Sequence, residues 1–236
     1  MIESELSVKI KDKELRQHNT PQSILLTHIA DALYNGTNLS ALDKIVLVDS
    51  AGVERDYTTN LTFNVGYTLQ VTATITASAS YTVNAVRTYS GTNVYFESSV
   101  SFTVNTGDQV QITITISLTL SGSLSGATFY NINLKSFIFR VLANQLSRSQ
   151  LSIMYVVFNL TNLDTNETAD YQVSASKSKP ASNKVNFTAS YTPSFNWGLN
   201  YIKVRASGGD LYYYATSITG YANTTITYSD TITVST

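Results

Sequence analysis

Cysteine is missing from all 236 residues. That excludes disulfides, thiolate metal sites and a cysteine nucleophile, and leaves the fold indifferent to redox compartment. Charge is scarce too: Asp, Glu, Lys and Arg make up 13% of the chain, against roughly 25% in an ordinary domain. The formal net charge is −1 and Lys and Arg are scattered, so there is no basic field to follow a phosphate backbone and nucleic acid is excluded as a partner. Apolar runs such as MYVVF at 154–158 stop far short of the ~20 residues of a membrane span. The N-terminus, MIESELSVKIKDKELRQ, is the most charged stretch and lacks the apolar centre of a secretory signal. Synthesis in the cytoplasm without a signal peptide is expected.

What the chain does contain is alternation. In QVQITITISLTL, residues 109–120, apolar side chains fall at every second position and the facing set is Gln, Thr and Ser. LTFNVGYTLQVTATI from Leu61 and VYFESSVSFTV from Val94 repeat the pattern. Period two with β-branched and aromatic residues predicts half-buried antiparallel strands. The run from Leu61 is two to three times a common strand length of about 5–6 residues, so it breaks or bends near Gly66. Turns are read at DSAG (49–52), SGT (90–92), NTGD (105–108), SGSLSG (121–126) and SGGD (207–210).

One segment reads as a helix, over 21–34. Thr20 is placed to cap it, Pro21 suits its first position, Asn35-Gly36 closes it, and Leu25, Leu26, Ile29, Ala30 and Leu33 share a face. LKSFIFRVLANQ, from Leu134, fits either a helix or a strand. Both halves place a strand, a polar loop and an Asp-Tyr pair (Asp56-Tyr57, Asp170-Tyr171) in the same order. The expected architecture is all-β: two tandem antiparallel β-sandwich, jelly-roll-like domains, 1–125 and 126–236, with one short helix near the N-terminus. A single large barrel is the competing fold.

Little in the sequence points to catalysis. His18 and His28 are the only imidazoles, and no G-x-S-x-G turn is present. Between Thr58 and Leu134 only Arg87, Glu97 and Asp108 carry charge, so Glu97 and Asp108 are the one carboxylate pair that stretch offers for sugar hydrolysis. NLDTNETAD, 162–170, spaces Asn162, Asp164 and Asn166 like the start of a calcium loop. It lacks the glycine at the sixth place and has Val173 where the twelfth-place glutamate belongs; a solvated hairpin explains the same letters. No catalytic, cofactor or metal residue is assigned.

The aromatics carry more weight. Trp197, Tyr201, Tyr212, Tyr213 and Tyr214 form the candidate contact patch for a partner protein or a glycan, since rings at a sandwich edge stack on sugars and anchor interfaces. Consecutive Tyr in a strand also fits one ring in the core with its neighbours outside. Sequons occur at Asn35, Asn38, Asn60, Asn159, Asn166, Asn186 and Asn223; a chain so rich in Asn, Ser and Thr produces several by chance.

Hydroxyl and amide faces keep their charge at any pH and pack against neighbours without desolvating ions. Together with the ITITI-type strands, the absence of cysteine and the tandem Thr/Ser/Tyr-rich units, they resemble the turret and other surface proteins of icosahedral viruses that infect hot-acid archaea. The opening SILLTHIADALYNG followed by KIVLV is similar to phage tail-fibre-type structural proteins. The resemblance implies a virion location and a non-enzymatic structural role. It implies copies of itself and other virion proteins as partners, with a host surface glycan or protein as a further one. The charge asymmetry between Met1 to Gln17 and the rest of the chain points to that segment as an anchor against a neighbouring protein. A receptor- or glycan-binding adhesin head is the alternative, and a polysaccharide-acting enzyme the third reading.

Overall fold

The computed structural model describes residues 1–122 and 124–236; of the turn read over 121–126, Ser123 lies outside the described residues. The chain is mostly β. The first half runs β1 (Ile2–Ile10), β2 (Lys13–Pro21), α1 (Ser23–Asn35), β3 (Lys44–Asp49), β4 (Glu54–Thr58), β5 (Thr62–Val65), β6 (Leu69–Thr76), β7 (Tyr81–Ser90), β8 (Asn93–Val104) and β9 (Gln109–Leu118). The second runs β10 (Thr128–Tyr130), α2 (Leu134–Leu142), a 3-10 turn (Arg148–Leu151), β11 (Ile153–Asn162), β12 (Thr168–Ser174), β13 (Ser176–Ala181), β14 (Lys184–Tyr191), β15 (Trp197–Ala206), β16 (Gly209–Gly220) and β17 (Ile226–Thr233).

The strands of the first half make one nine-stranded antiparallel sheet in the order β4-β3-β7-β8-β2-β1-β9-β6-β5, which curls until β4 touches β6. Those of the second make a five-stranded sheet, β10-β16-β15-β11-β12, and a three-stranded one, β13-β14-β17. The second order repeats the first: β12-β11-β15-β16-β10 matches β4-β3-β7-β8-β2, and β17-β14-β13 matches β9-β6-β5. Each half also sets its helix directly after the matching strand, β2 or β10. No strand of one half pairs with a strand of the other among the described residues, yet one hydrophobic core runs through both, from Ile2 to Val234.

Alternation behaves as its period requires. Val110, Ile112, Ile114, Ile116 and Leu118 of β9 are buried while Gln109 and Gln111 are exposed. The run from Leu61 folds as the hairpin β5–β6 around Gly66.

Two expectations are corrected. The helix begins at Ser23, after Gln22 in extended conformation and without a side-chain cap, because Thr20 and Pro21 belong to β2 and pair with Glu97 and Phe96 of β8. A second helix exists, α2: its buried Leu134, Phe137, Ile138, Val141 and Leu142 follow the helical spacing. The charged N-terminal segment supplies a strand of the sheet: Glu3, Glu5 and Lys9 face outward while Ile2, Leu6 and Val8 are buried, and β1 sits centrally between β2 and β9.

Candidate functional site

The predicted ring cluster divides between two faces of the five-stranded sheet. Trp197, Tyr212 and Tyr214 are buried. Trp197 donates its indole N–H to Thr224 Oγ1 at 3.2 Å. Tyr212 and Tyr214 point inward with Tyr228, and all three hydroxyls donate to Asp230 Oδ2, at 3.2, 3.2 and 2.9 Å. Tyr201 and Tyr213 are half-buried on the outer face. The triplet thus places two rings inside and one outside.

Cross-strand register builds the outer face in rows. Tyr213 of β16 lies between Tyr130 of β10 and Lys203 of β15, and Lys203 faces Val157 of β11. Tyr130, 43% exposed, stacks on Tyr213 with centroids 4.5 Å apart, and Tyr213 meets Tyr201 edge-on at 6.1 Å. Lys203 Nζ stands 4.6 Å from the Tyr201 ring centroid and 3.8 Å from both Asp170 and Asp210. Arg205 Nε donates to Asp210 Oδ1 at 2.7 Å and its Nη1 to Gln172 at 3.2 Å. Asp170 Oδ1 accepts from Asn159 Nδ2 at 2.7 Å and from the Tyr201 hydroxyl at 2.9 Å.

Burial would raise the Asp170 carboxyl, but the hydrogen bonds from Asn159 and Tyr201 and the charges of Lys203 and Arg205 more than offset it and hold it below the usual range. Lys203 is held above its ordinary value in the same way, its burial outweighed by Tyr201 and the two carboxylates. The result is a rigid lattice of paired charges and rings with Tyr130 at its rim.

The first half carries a similar lattice on the matching strands. Val46 and Val48 are covered by Tyr89, whose hydroxyl donates to Glu54, while Arg87 binds Glu97 at 2.6 Å and Lys44 lies 4.2 Å from the Tyr89 centroid. The two Asp-Tyr pairs occupy matching strands in opposite orientation: Tyr57 is outward and 66% exposed, whereas Tyr171 packs on the core.

The remaining sheet faces are of another kind. The outer face of β5-β6-β9 is a grid of Thr62, Asn64, Gln70, Thr72, Thr74, Gln111, Thr113 and Thr115 in register, without a charged residue. On β14-β17 the hydroxyls bond across the strands: Thr188 to Ser229 at 3.0 Å, Ser190 to Thr227 at 2.9 Å and Thr231 to Asn186 at 2.8 Å, with Lys184 alone at the end of the row. Long stretches of threonine in strands signalled these faces in the sequence. The ring lattice had no such signal, because Tyr130, Lys203 and Asp170 meet only through pairing.

Other sequence candidates lie apart. Glu97 is bound to Arg87 and Asp108 to Lys11 at 2.9 Å. His28 Nδ1 lies 2.7 Å from the Tyr95 hydroxyl, and burial lowers its pKa; His18 is exposed on β2. In the 162–170 loop, Asp164 accepts from the backbone and side-chain N–H of Asn196, and Asn162 accepts from the Asp164 N–H. Of the sequons, Asn35, Asn38, Asn60, Asn166 and Asn223 are exposed, Asn186 is half-buried and Asn159 is buried. Compared with family models, curated proteins and solved structures, the chain matches none.

Proposed function

We propose that this chain is a non-enzymatic structural subunit that works by assembly with copies of itself and with other proteins at a virion surface, as a turret or spike component. One observation carries the reading: ion pairs and rings are concentrated on the outer faces of β4-β3-β7-β8 and β12-β11-β15-β16, leaving β5-β6-β9 and β14-β17 coated with hydroxyls and amides. Burying the β5-β6-β9 face against another molecule desolvates no ion, and burying β14-β17 involves Lys184 alone at its edge; the lost water contacts can be replaced by hydroxyl and amide pairs. The finer architecture belongs to the same proposal: two tandem jelly-roll-like sandwiches, 1–125 and 126–236, supported by the repeated strand order and by the absence of strand pairing between the halves among the described residues.

The test is solution mass by light scattering after size exclusion at about pH 3 and pH 7, which bracket the carboxylate range. A defined oligomer of the same mass at both is expected. A monomer at both overturns the reading.

A second reading, a glycan- or receptor-binding head, rests on the exposed Tyr130 stacked on Tyr213. Tyr130→Ala with Tyr213→Ala should remove attachment to host cells while leaving the fold intact, and unchanged attachment rejects it. Trp197, Tyr212 and Tyr214 are unsuitable for that test, since truncating them empties the core.

A further inference from the structure

Among the described residues, the second half lacks a strand that the first half has. In the first half, β1 lies between β2 and β9, antiparallel to both, and joins the two strand groups into one sheet. The counterparts of β2 and β9 are β10 and β17; no described residue is laddered between them, and each ends its sheet. The seam they leave is a cavity of about 180 Å³, lined by Phe129 of β10, Tyr212 and Tyr214 of β16, Asp230 and Ile232 of β17, and Leu120 of the connection from β9.

Chain order shows what stands in the missing strand's place. β1 directly precedes β2, and the segment that directly precedes β10 is the connection 119–127, with LSGSLSG at its centre. Leu120 and Leu124 keep the alternate apolar positions of a strand and pack on the core. Gly and Ser are poor strand formers, however, and the bond from the Ala127 N–H to Leu124 O at 3.1 Å closes a turn. Gly122 lies so close that a Cβ there would overlap the Tyr214 hydroxyl and stand 2.6 Å from the Phe129 ring. Leu120, Ser121 and Gly122 cover the seam without laddering to it, and the outer edges of β10 and β17 beneath them have no strand partner among the described residues.

We propose that the seam between β10 and β17 is a strand-acceptor site, in which an extended segment of another polypeptide displaces Leu120, Ser121 and Gly122 and pairs antiparallel with both strands, as β1 does in the first half. The donor is a different protein. Each chain has two seams but one β1, and that strand is held by ladders on both sides in its own sheet; copies exchanging β1 would leave as many seams open as before. The lining sets the donor's chemistry. Apolar side chains at every second position meet Phe129, Leu134 and Ile232, and no carboxylate passes Asp230, whose oxygens are engaged by three tyrosines and the Thr231 N–H.

The experiment follows amide hydrogen exchange of the full chain with two synthetic peptides, one of alternating Val and Thr and one with the β1 sequence IESELSVKI. Exchange over 128–130 and 226–233 should slow by roughly tenfold or more, as for amides that gain a ladder, while β4, β5, β12 and β13 are unchanged. Gly122→Val, which drives the cover out of the seam, should give the same protection at lower peptide concentration; the unsubstituted chain is read alongside, so a variant that fails to fold does not decide the result. No slowing with either peptide, or equal slowing at every edge strand, overturns the proposal. The hydroxyl faces are not involved: an oligomer that ignores both peptides leaves the assembly reading standing and removes this one, and a monomer that binds them does the reverse.

Discussion

Asp230 is the acceptor for three phenols drawn from two sheets, Tyr212 and Tyr214 of β16 and Tyr228 of β17. Removing it by Asp230→Ala leaves three buried donors without a partner, at about 1–3 kcal/mol each, so a loss of at least ~3 kcal/mol is expected in the unfolding free energy from urea denaturation. A loss below ~1 kcal/mol would mean that water or another acceptor takes over. The same contacts fix the alkaline behaviour. Burial first, with the Asp230 charge adding to it and, at Tyr212 and Tyr228, a neighbouring phenol as well, raises all three phenols above their ordinary value. Groups raised on folding contribute stability that is complete below the unfolded pKa of about 10 and is lost as pH climbs through the folded values. Ultraviolet titration should therefore show a set of tyrosines that ionise only together with unfolding. Smooth ionisation of all sixteen tyrosines in the folded chain would contradict it. The sequence marked the Tyr triplet but not its acceptor, which lies on another sheet.

At the scale of elements, β1 was the strand hardest to read. Its Ile2, Leu6, Val8 and Ile10 alternate as plainly as β9 does, but the charges set between them suggest an anchor for another protein. Those charges, Glu3, Glu5 and Lys9, belong to the outward face of a central strand, where Glu5 lies 3.9 Å from Arg16 of β2. Burying Ile2, Leu6 and Val8 at ~1.5–3 kcal/mol each is worth a large part of a typical total stability of about 5–15 kcal/mol. Deleting residues 1–10 should abolish cooperative thermal unfolding, and adding them back as a free peptide should restore it. A truncated chain that melts as sharply as the full one would leave the segment only the role of an anchor. The helix shows the reverse balance. Its end was legible because Gly36, at φ 75° with its N–H on Ala32 O, is a left-handed cap. Its start was not, since Thr20-Pro21 reads as a helix opening until β8 arrives to pair with it.

For the whole molecule, all-β character followed from alternation alone, while the repeated order of strands did not, because pairing between β3 and β7 or β11 and β15 leaves no mark in a single sequence. Buried position also sorts the sequons. The amide of Asn159 is bonded to Asp170 and Asn200, so if the protein is made in a glycosylating cell, mass spectrometry should find Asn159 bare even where Asn60 or Asn223 is occupied; sugar on Asn159 would mean the β11–β12–β15 face opens before modification. Assembly can be probed by the placement of a single charge. Thr113 sits in the row Thr62–Thr72–Thr113–Ser7, with no carboxylate opposite, so Thr113→Lys should cost within about 0.5 kcal/mol in the monomer but require an unpaired ammonium to be desolvated if that face is buried between copies. Gln172→Lys, on the face already laced with Asp210 and Arg205, serves as the control. Light scattering at pH 7 should show the Thr113 variant dissociated and the Gln172 variant at the parent mass. Equal masses for both would take the β5-β6-β9 face out of the interface, and dissociation of the Gln172 variant alone would move the interface to the ring lattice.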